Sequence, residues 1–201
     1  RGLVPPSLPG AVAAWPNHNI AAARQLLRGA GYCGAKPLVL NLTYRSNVPT
    51  DRLFALTWQE SLRQELGDCL QLSLTGMEST TAYRQLGDGA FQLIMLDWIG
   101  DYPDADNYLM PLLACSKAKG SSCLVGASAS SGSFWAAPGL QQQLQQTEKL
   151  QGPARIAVLE SIQRRSGAAV PYLPVQPSLE NPSFDGSGRL RLDRLSRRPG
   201  P

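Results

Sequence analysis

The chain has 201 residues, 43% of them hydrophobic, with 19 basic against 15 acidic side chains and a formal net charge of +4. That length and apolar content support a domain with a buried core and exclude a disordered chain. No apolar run approaches the roughly 18 residues of a membrane-crossing helix. Five arginines (Arg189, Arg191, Arg194, Arg197, Arg198) cluster near the C-terminus, so the remainder is close to neutral and offers no basic, aromatic-interleaved face for nucleic acid.

Residues 1–19 are broken by Pro, Gly and Asn and read as an extended connector. The chain begins at Arg1, and RGLVPPSLPG has no signal-peptide pattern, so it is read as a processed product or a fragment. A helix follows over 19–30, with Asn19 as N-cap, Gly31 as stop, and Ile20, Ala23, Leu26, Leu27 and Ala30 on one face. Leu38 to Tyr44 reads as a strand. Thr50 or Asp51 then caps a helix running to about Leu66 and stopped by Gly67. Leu70 to Thr75 alternates as a second strand, Ser79 to Leu86 is a short helix ended by Gly87, and Phe91 to Leu96 is a third, apolar strand. Strands separated by helices at these spacings predict right-handed crossovers and an α/β fold with a mostly parallel sheet.

Beyond the third strand, Asp106 to Leu113 predicts a helix and 117–139 a Ser/Gly/Ala-rich loop. Helices are expected over 140–146 and 154–166. Val170 to Val175 is an extended segment whose prolines place it at an edge or crossover. Residues 179–201 are polar and basic, with only 189–192 resembling a strand.

The chemistry concentrates where the third strand ends. Asp97, Trp98, Asp101, Tyr102, Asp104, Asp106, Asn107 and Tyr108 fall in one short segment. In open parallel sheets ligands sit outside the carboxyl ends of the strands, so an acidic, aromatic loop there points to something positively charged. A calcium loop is not the reading, because no start supplies the sixth-position Gly and twelfth-position Glu. Asp104-Ala105-Asp106 matches the DxD pattern of metal-dependent glycosyltransferases. The simpler reading is that Asp104 caps the next helix and Asp106 favours its positive end. No phosphate-binding Gly-rich loop and no GxSxG elbow occurs, the only histidine is His18, and Asn41-Leu42-Thr43 is a sequon lying inside a strand. No metal or cofactor is expected. The four cysteines show no zinc spacing. Two disulfides, or four separate buried thiols, are both compatible with them: Cys115 and Cys123 flank a short loop, and Cys33 and Cys69 each precede a strand.

Taken in order, LVPPSLPG, AARQLLRGAGY, LVLNLTY, FALTWQESLRQELG, LQLSLTGME, YRQLGDGAFQLIMLDWIGDYPDADNYLMPLL, ARIAVLESIQRR and AAVPYLPV closely resemble the C-terminal lobe of the extracellular solute-binding proteins of family 5, the peptide- and nickel-type receptors of ABC importers. The strongest block is Asp88 to Leu113. The resemblance implies a type II periplasmic-binding-protein lobe with helices on both sheet faces. Residues 1–19 would come from a missing N-terminal lobe, 20–178 would form the ligand-binding lobe, and 179–201 would return toward the other lobe. It implies a binding subunit with no enzymatic activity, taking short peptides and delivering them to membrane permease subunits. It further implies a monomer in the periplasm or another extracytoplasmic space, with a lipid anchor through the missing N-terminus as one arrangement. Asp101, three places after Trp98, takes the place of the family acid that pairs with the peptide α-ammonium. Trp98, Ile99, Gly100 and Tyr102 would line the pocket, Gly100 letting backbone approach closely. A nickel chelate or another solute on the same fold is the alternative, and the DxD glycosyltransferase a weaker one.

Overall fold

The computed structural model describes residues 2–175, so the expected return segment 179–201 and its strand-like stretch lie outside the described residues. The described residues divide into two compact units, 17–97 and a second made of residues 2–16 with 98–175.

The 17–97 unit is a parallel α/β element. Helix α1 (Ile20–Gly29) begins where Asn19 Oδ1 accepts the amide of Ala22 at 2.9 Å and stops before Gly31 at φ +85°, a conformation glycine adopts without strain. Strand β1 (Leu38–Arg45) pairs in parallel with β2 (Leu70–Met77), Leu38 facing Leu70 and Arg45 facing Met77. It also pairs in parallel with β3 (Leu93–Ile94), giving the order β2-β1-β3. Helix α2 (Pro49–Leu66) crosses between β1 and β2 and covers one sheet face. Leu42, Ala55 and Leu72 are the buried centre there, with Trp58, Leu62, Leu74, Leu93 and Met95 packed around them. On alternate positions Asn41 Nδ2 donates to Ser73 Oγ and Thr75 Oγ1, a polar ladder across two strands. The short α3 (Ser79–Gln85) is capped by the Glu78 carboxylate, which accepts the Thr81 amide at 3.1 Å.

Three expectations change in this unit. Neither Thr50 nor Asp51 caps α2; the helix opens on Pro49, whose fixed φ suits a first turn, and Asp51 is buried against Arg45. The third strand keeps only two ladder residues, Leu93 and Ile94 opposite Leu42 and Thr43; just before them the Asn41 amide donates to the Gln92 side chain at 2.8 Å instead of to strand backbone. The apolar face of α1 contains no buried residue, and Leu26 is 74% exposed.

The second unit is mostly helical: α4 (Asp106–Leu113), the antiparallel hairpin β4 (Lys117–Lys119) and β5 (Ser122–Val125), the single turn α5 (Ala127–Ser130), α6 (Leu140–Lys149) and α7 (Gly152–Ala169). Its core joins Val4, Ala105, Tyr108, Leu109, Leu113, Leu140, Leu144, Leu159 and Ile162. The N-terminal residues read as a connector are docked on α7. Fully buried Gln163 donates to Gly10 O and accepts the Val4 amide, and the Trp15 indole donates to Tyr172 O at 2.7 Å. The 117–139 stretch read as a loop holds the hairpin, which turns at Gly120 (φ +61°), and α5, which Gly126 at φ +137° introduces where a side chain would strike Ala114 O and Cys115 Cα at 2.8 Å. Val170–Val175 forms no strand; Tyr172 pins it by donating to Leu112 O.

Cys33 is joined to Cys69, and Cys115 to Cys123, at sequence separations of 36 and 8. On loop entropy, removing the longer-range bridge (Cys33→Ala with Cys69→Ala) costs about 4 kcal/mol and removing the shorter about 2.5 kcal/mol. Equilibrium urea unfolding of the two double variants checks this order, and a larger loss from the 115–123 bridge contradicts it.

Candidate functional site

The segment after β3 is a loop anchored by its own side chains, by α4 and by Arg155 of α7. The Trp98 indole N–H donates to Asn107 O at 2.7 Å. Asn107, buried at the start of α4, donates from Nδ2 to Tyr102 O at 3.1 Å, and the Asp104 amide donates to the same carbonyl at 2.9 Å. Asp104 Oδ1 then accepts the Asp106 amide at 3.0 Å, so Asp104 satisfies a donor at the opening of α4 much as a cap would. At Gly100 an added Cβ would lie 2.6 to 2.9 Å from the Tyr108 phenol. The missing side chain at that position is thus first a packing requirement, met by Tyr108.

All five expected contact residues, Gly100 included, share this loop. Trp98, Ile99 and Tyr102 are 45%, 59% and 51% exposed, large apolar groups that the described core does not cover. Asp101 is exposed among them, and among the described residues it has neither a salt bridge nor a side-chain hydrogen bond. Its neighbours are otherwise engaged. Asp104 receives both terminal nitrogens of Arg155, at 2.7 and 2.9 Å. Burial works against the Asp104 charge, but the Arg155 fork and the Asp106 amide outweigh it and hold the carboxyl at about 2. Asp106 moves the other way: burial, then the adjacent Asp104 carboxylate, raise it, and its Oδ1 is enclosed without a partner. A carboxylate locked in an arginine fork leaves the DxD pair without the open face a metal would need.

The 17–97 unit carries a charged cluster of its own that sequence reasoning missed. Arg45 ends β1, buried, with Nε and Nη2 on Asp51 at 2.7 and 3.0 Å. Its Nη1 bonds Asp97, which also accepts the Tyr83 hydroxyl at 3.0 Å. Burial raises Asp97, yet Tyr83 and Arg45 overcome it and the carboxyl lies below its ordinary range. Burial, then the bond to Asp97, push the Tyr83 phenol up. These groups gather at the carboxyl ends of β1 and β3, and only the parallel pairing makes Arg45 and Asp97 neighbours. An arginine in the last position of an apolar strand is the single signal that could have drawn attention to them. Among the described residues the one metal-like grouping is Cys33, Asp68 and Cys69, whose two sulfurs are bonded to each other.

Gly100→Ala forces the Tyr108 ring aside and lowers stability by about 1–3 kcal/mol; thermal denaturation checks it, with part of the loss recovered when Tyr108→Leu is added. For Asp104 the folded value lies below the unfolded one, so its stabilisation is complete above about pH 4 and is lost as pH falls through about 2. The difference in melting temperature between wild type and Asp104→Asn is accordingly flat above about pH 4 and shrinks toward pH 2; a difference that grows on acidification contradicts the assignment.

Comparison with known proteins fits this architecture. Residues 1–120 match the family described as bacterial extracellular solute-binding proteins, family 5 Middle. Di/tripeptide-binding protein 4 of Pseudomonas aeruginosa is 32% identical over 125 residues, 59% of this chain and 22% of that protein. The dipeptide-binding protein of Pseudoalteromonas sp. SM9913, solved with Met-Leu, superposes with a TM-score of 0.68 at 22% identity, over 85% of this chain and 32% of the other. OppA of Burkholderia pseudomallei does so at 0.67 and 24%, over 86% and 33%. The chain thus spans about a fifth of the curated relative and about a third of the solved structures, which share its fold, an α/β type with a parallel sheet. With more than half of its residues matched to the family model, the chain belongs to the bacterial extracellular solute-binding proteins of family 5.

Proposed function

We propose that this chain contributes to a peptide receptor of an ABC importer and that Asp101 pairs with the α-ammonium of a short bound peptide. The carrying observation is a loop in which, among the described residues, one exposed carboxylate has no side-chain partner. Asp97 and Asp104 each face an arginine and Asp106 is part-enclosed, whereas Asp101 is exposed with Trp98, Ile99 and Tyr102 around it. A fixed anion recognises a fixed N-terminal cation whatever side chains follow, and such a bond is stronger than a neutral one, more so when water is excluded. Exposed aromatic and aliphatic surface supplies sequence-tolerant contact, and backbone hydrogen bonds of the strand-addition type would provide the rest. The name of the Pseudomonas aeruginosa relative, a di/tripeptide-binding protein, supports a ligand of that class. Two disulfides suit an oxidising, extracytoplasmic compartment. The receptor performs no chemistry on its ligand and hands it to the membrane permease.

Isothermal titration calorimetry on the full-length protein, with free and N-acetylated dipeptides and tripeptides, tests this. Acetylation is expected to weaken binding about 10- to 100-fold, and Asp101→Asn to remove most of that preference, as for a hydrogen bond to a charged group. Equal binding of free and acetylated peptides overturns the amine pairing; binding of neither overturns the peptide ligand.

A further inference from the structure

Arg155 is the most heavily engaged side chain near the loop, and it touches none of the exposed groups. It lies in the first turns of α7 and reaches two other elements. Nε donates to Thr147 O at 2.9 Å, near the C-terminal end of α6, where backbone carbonyls lack intrahelical donors. Nη1 and Nη2 form a fork on Asp104 at 2.9 and 2.7 Å, and Nη2 is 3.8 Å from Asp106 Oδ2. Asp104 in turn bonds the Asp106 amide through Oδ1, while its own amide closes a turn onto Tyr102 O. A continuous set of hydrogen bonds therefore runs from the α6–α7 pair to the turn that presents Asp101.

The same contacts bear on charge. Asp101, Asp104 and Asp106 are three acids within six positions. Arg155 faces both of the inner carboxylates, 2.7 Å from Asp104 and 3.8 Å from Asp106. Of these three, Asp101 is the exposed one and, among the described residues, has no side-chain partner. Lysine could supply the charge but not the planar fork that holds both Asp104 oxygens and the Thr147 carbonyl at once.

We propose that Arg155 is a positioning residue for ligand recognition: its fork on Asp104 fixes the turn bearing Asp101, so that this carboxylate discriminates a free peptide amine without Arg155 meeting the ligand. This rests on the pairing of Asp101 with the peptide ammonium. Arg155 differs from a residue that merely stabilises the fold in the quantity it controls, which is the ratio of affinities for free and N-acetylated peptide.

The test is that ratio, measured by calorimetry on the full-length protein with one dipeptide in both forms, for wild type, Arg155→Gln, Arg155→Lys, Asp101→Asn and the Arg155→Gln/Asp101→Asn pair. Arg155→Gln is expected to lower the ratio about tenfold, within the range of coupling between residues in one hydrogen-bonded network, with little change for the acetylated peptide. Arg155→Lys, which keeps charge and stem, is expected to lower it about threefold, and it carries the test alone if Arg155→Gln does not fold. In the Asp101→Asn background Arg155→Gln has no further effect. If both peptides lose affinity equally, or if the Arg155 variants keep the wild-type ratio while Asp101→Asn abolishes it, the positioning role is overturned and the amine pairing stands. If Asp101→Asn itself leaves the ratio unchanged, the amine pairing fails and the positioning role fails with it.

Discussion

The ion pair of Arg155 with Asp104 sets the geometry of the loop that follows the sheet. Half-buried charges attract more strongly than they would in bulk water but carry a desolvation cost, so a pair of this kind contributes little net stability unless its remaining donors and acceptors are filled. Here they are: the arginine's third nitrogen has a helix-terminal carbonyl, and the carboxylate has a backbone amide. Removing one partner would strand the other, which is why such a pair specifies a conformation more effectively than it stabilises a fold. The buried Arg45–Asp51 pair follows the same rule in the other unit, with Tyr83 and Asp97 completing the arginine's coordination.

Both arginines are placed by ordinary secondary structure. Arg45 is the last residue of a strand whose interior is fixed by packing under α2, so its side chain emerges where the ladder stops. Arg155 follows Pro153 at the start of α7, a helix held by Leu159, Ile162 and Gln163 against the N-terminal residues and α6. In each case apolar burial fixes the backbone and leaves a long cationic side chain to organise acids at the margin. The Tyr108 ring does similar work without charge. It is buried, and its position allows only glycine at 100.

Much of this was readable from residues alone, for identifiable reasons. Asn19 before an apolar face and Gly31 after it gave α1 correctly, and the alternation of LQLSLT gave β2, because caps and period-two patterns are local. The α2 start was misassigned because Asp51 looks like a cap in sequence, yet its carboxylate belongs to Arg45, a partner chosen by the fold. The small residues of 117–139 lack periodicity and so read as a loop; the hairpin turns at Gly120, at φ +61°, and is tied by the Cys115–Cys123 bridge. The Arg45–Asp97 contact spans 52 positions and depends on parallel pairing, which no local pattern encodes. Asp101 was singled out by family resemblance rather than by physics, since in sequence it is one acid among several.

The structure supplies the physical distinction the sequence lacked. Four acids lie between positions 97 and 106, and formal charge alone would make them equivalent. Asp97 is tied to an arginine and a tyrosine, Asp104 to an arginine fork, and Asp106 is part-enclosed, with its Oδ1 shut away from solvent. A ligand cation approaching Asp97 or Asp104 meets a carboxylate already shared with an arginine, and at Asp106 it meets an oxygen that is enclosed. Asp101 asks for neither, because it is exposed on a loop whose backbone is already held by Trp98, Asn107 and Asp104. Under the proposed amine pairing, little further ordering would be needed when a ligand arrives, and more of the interaction energy would be retained as affinity.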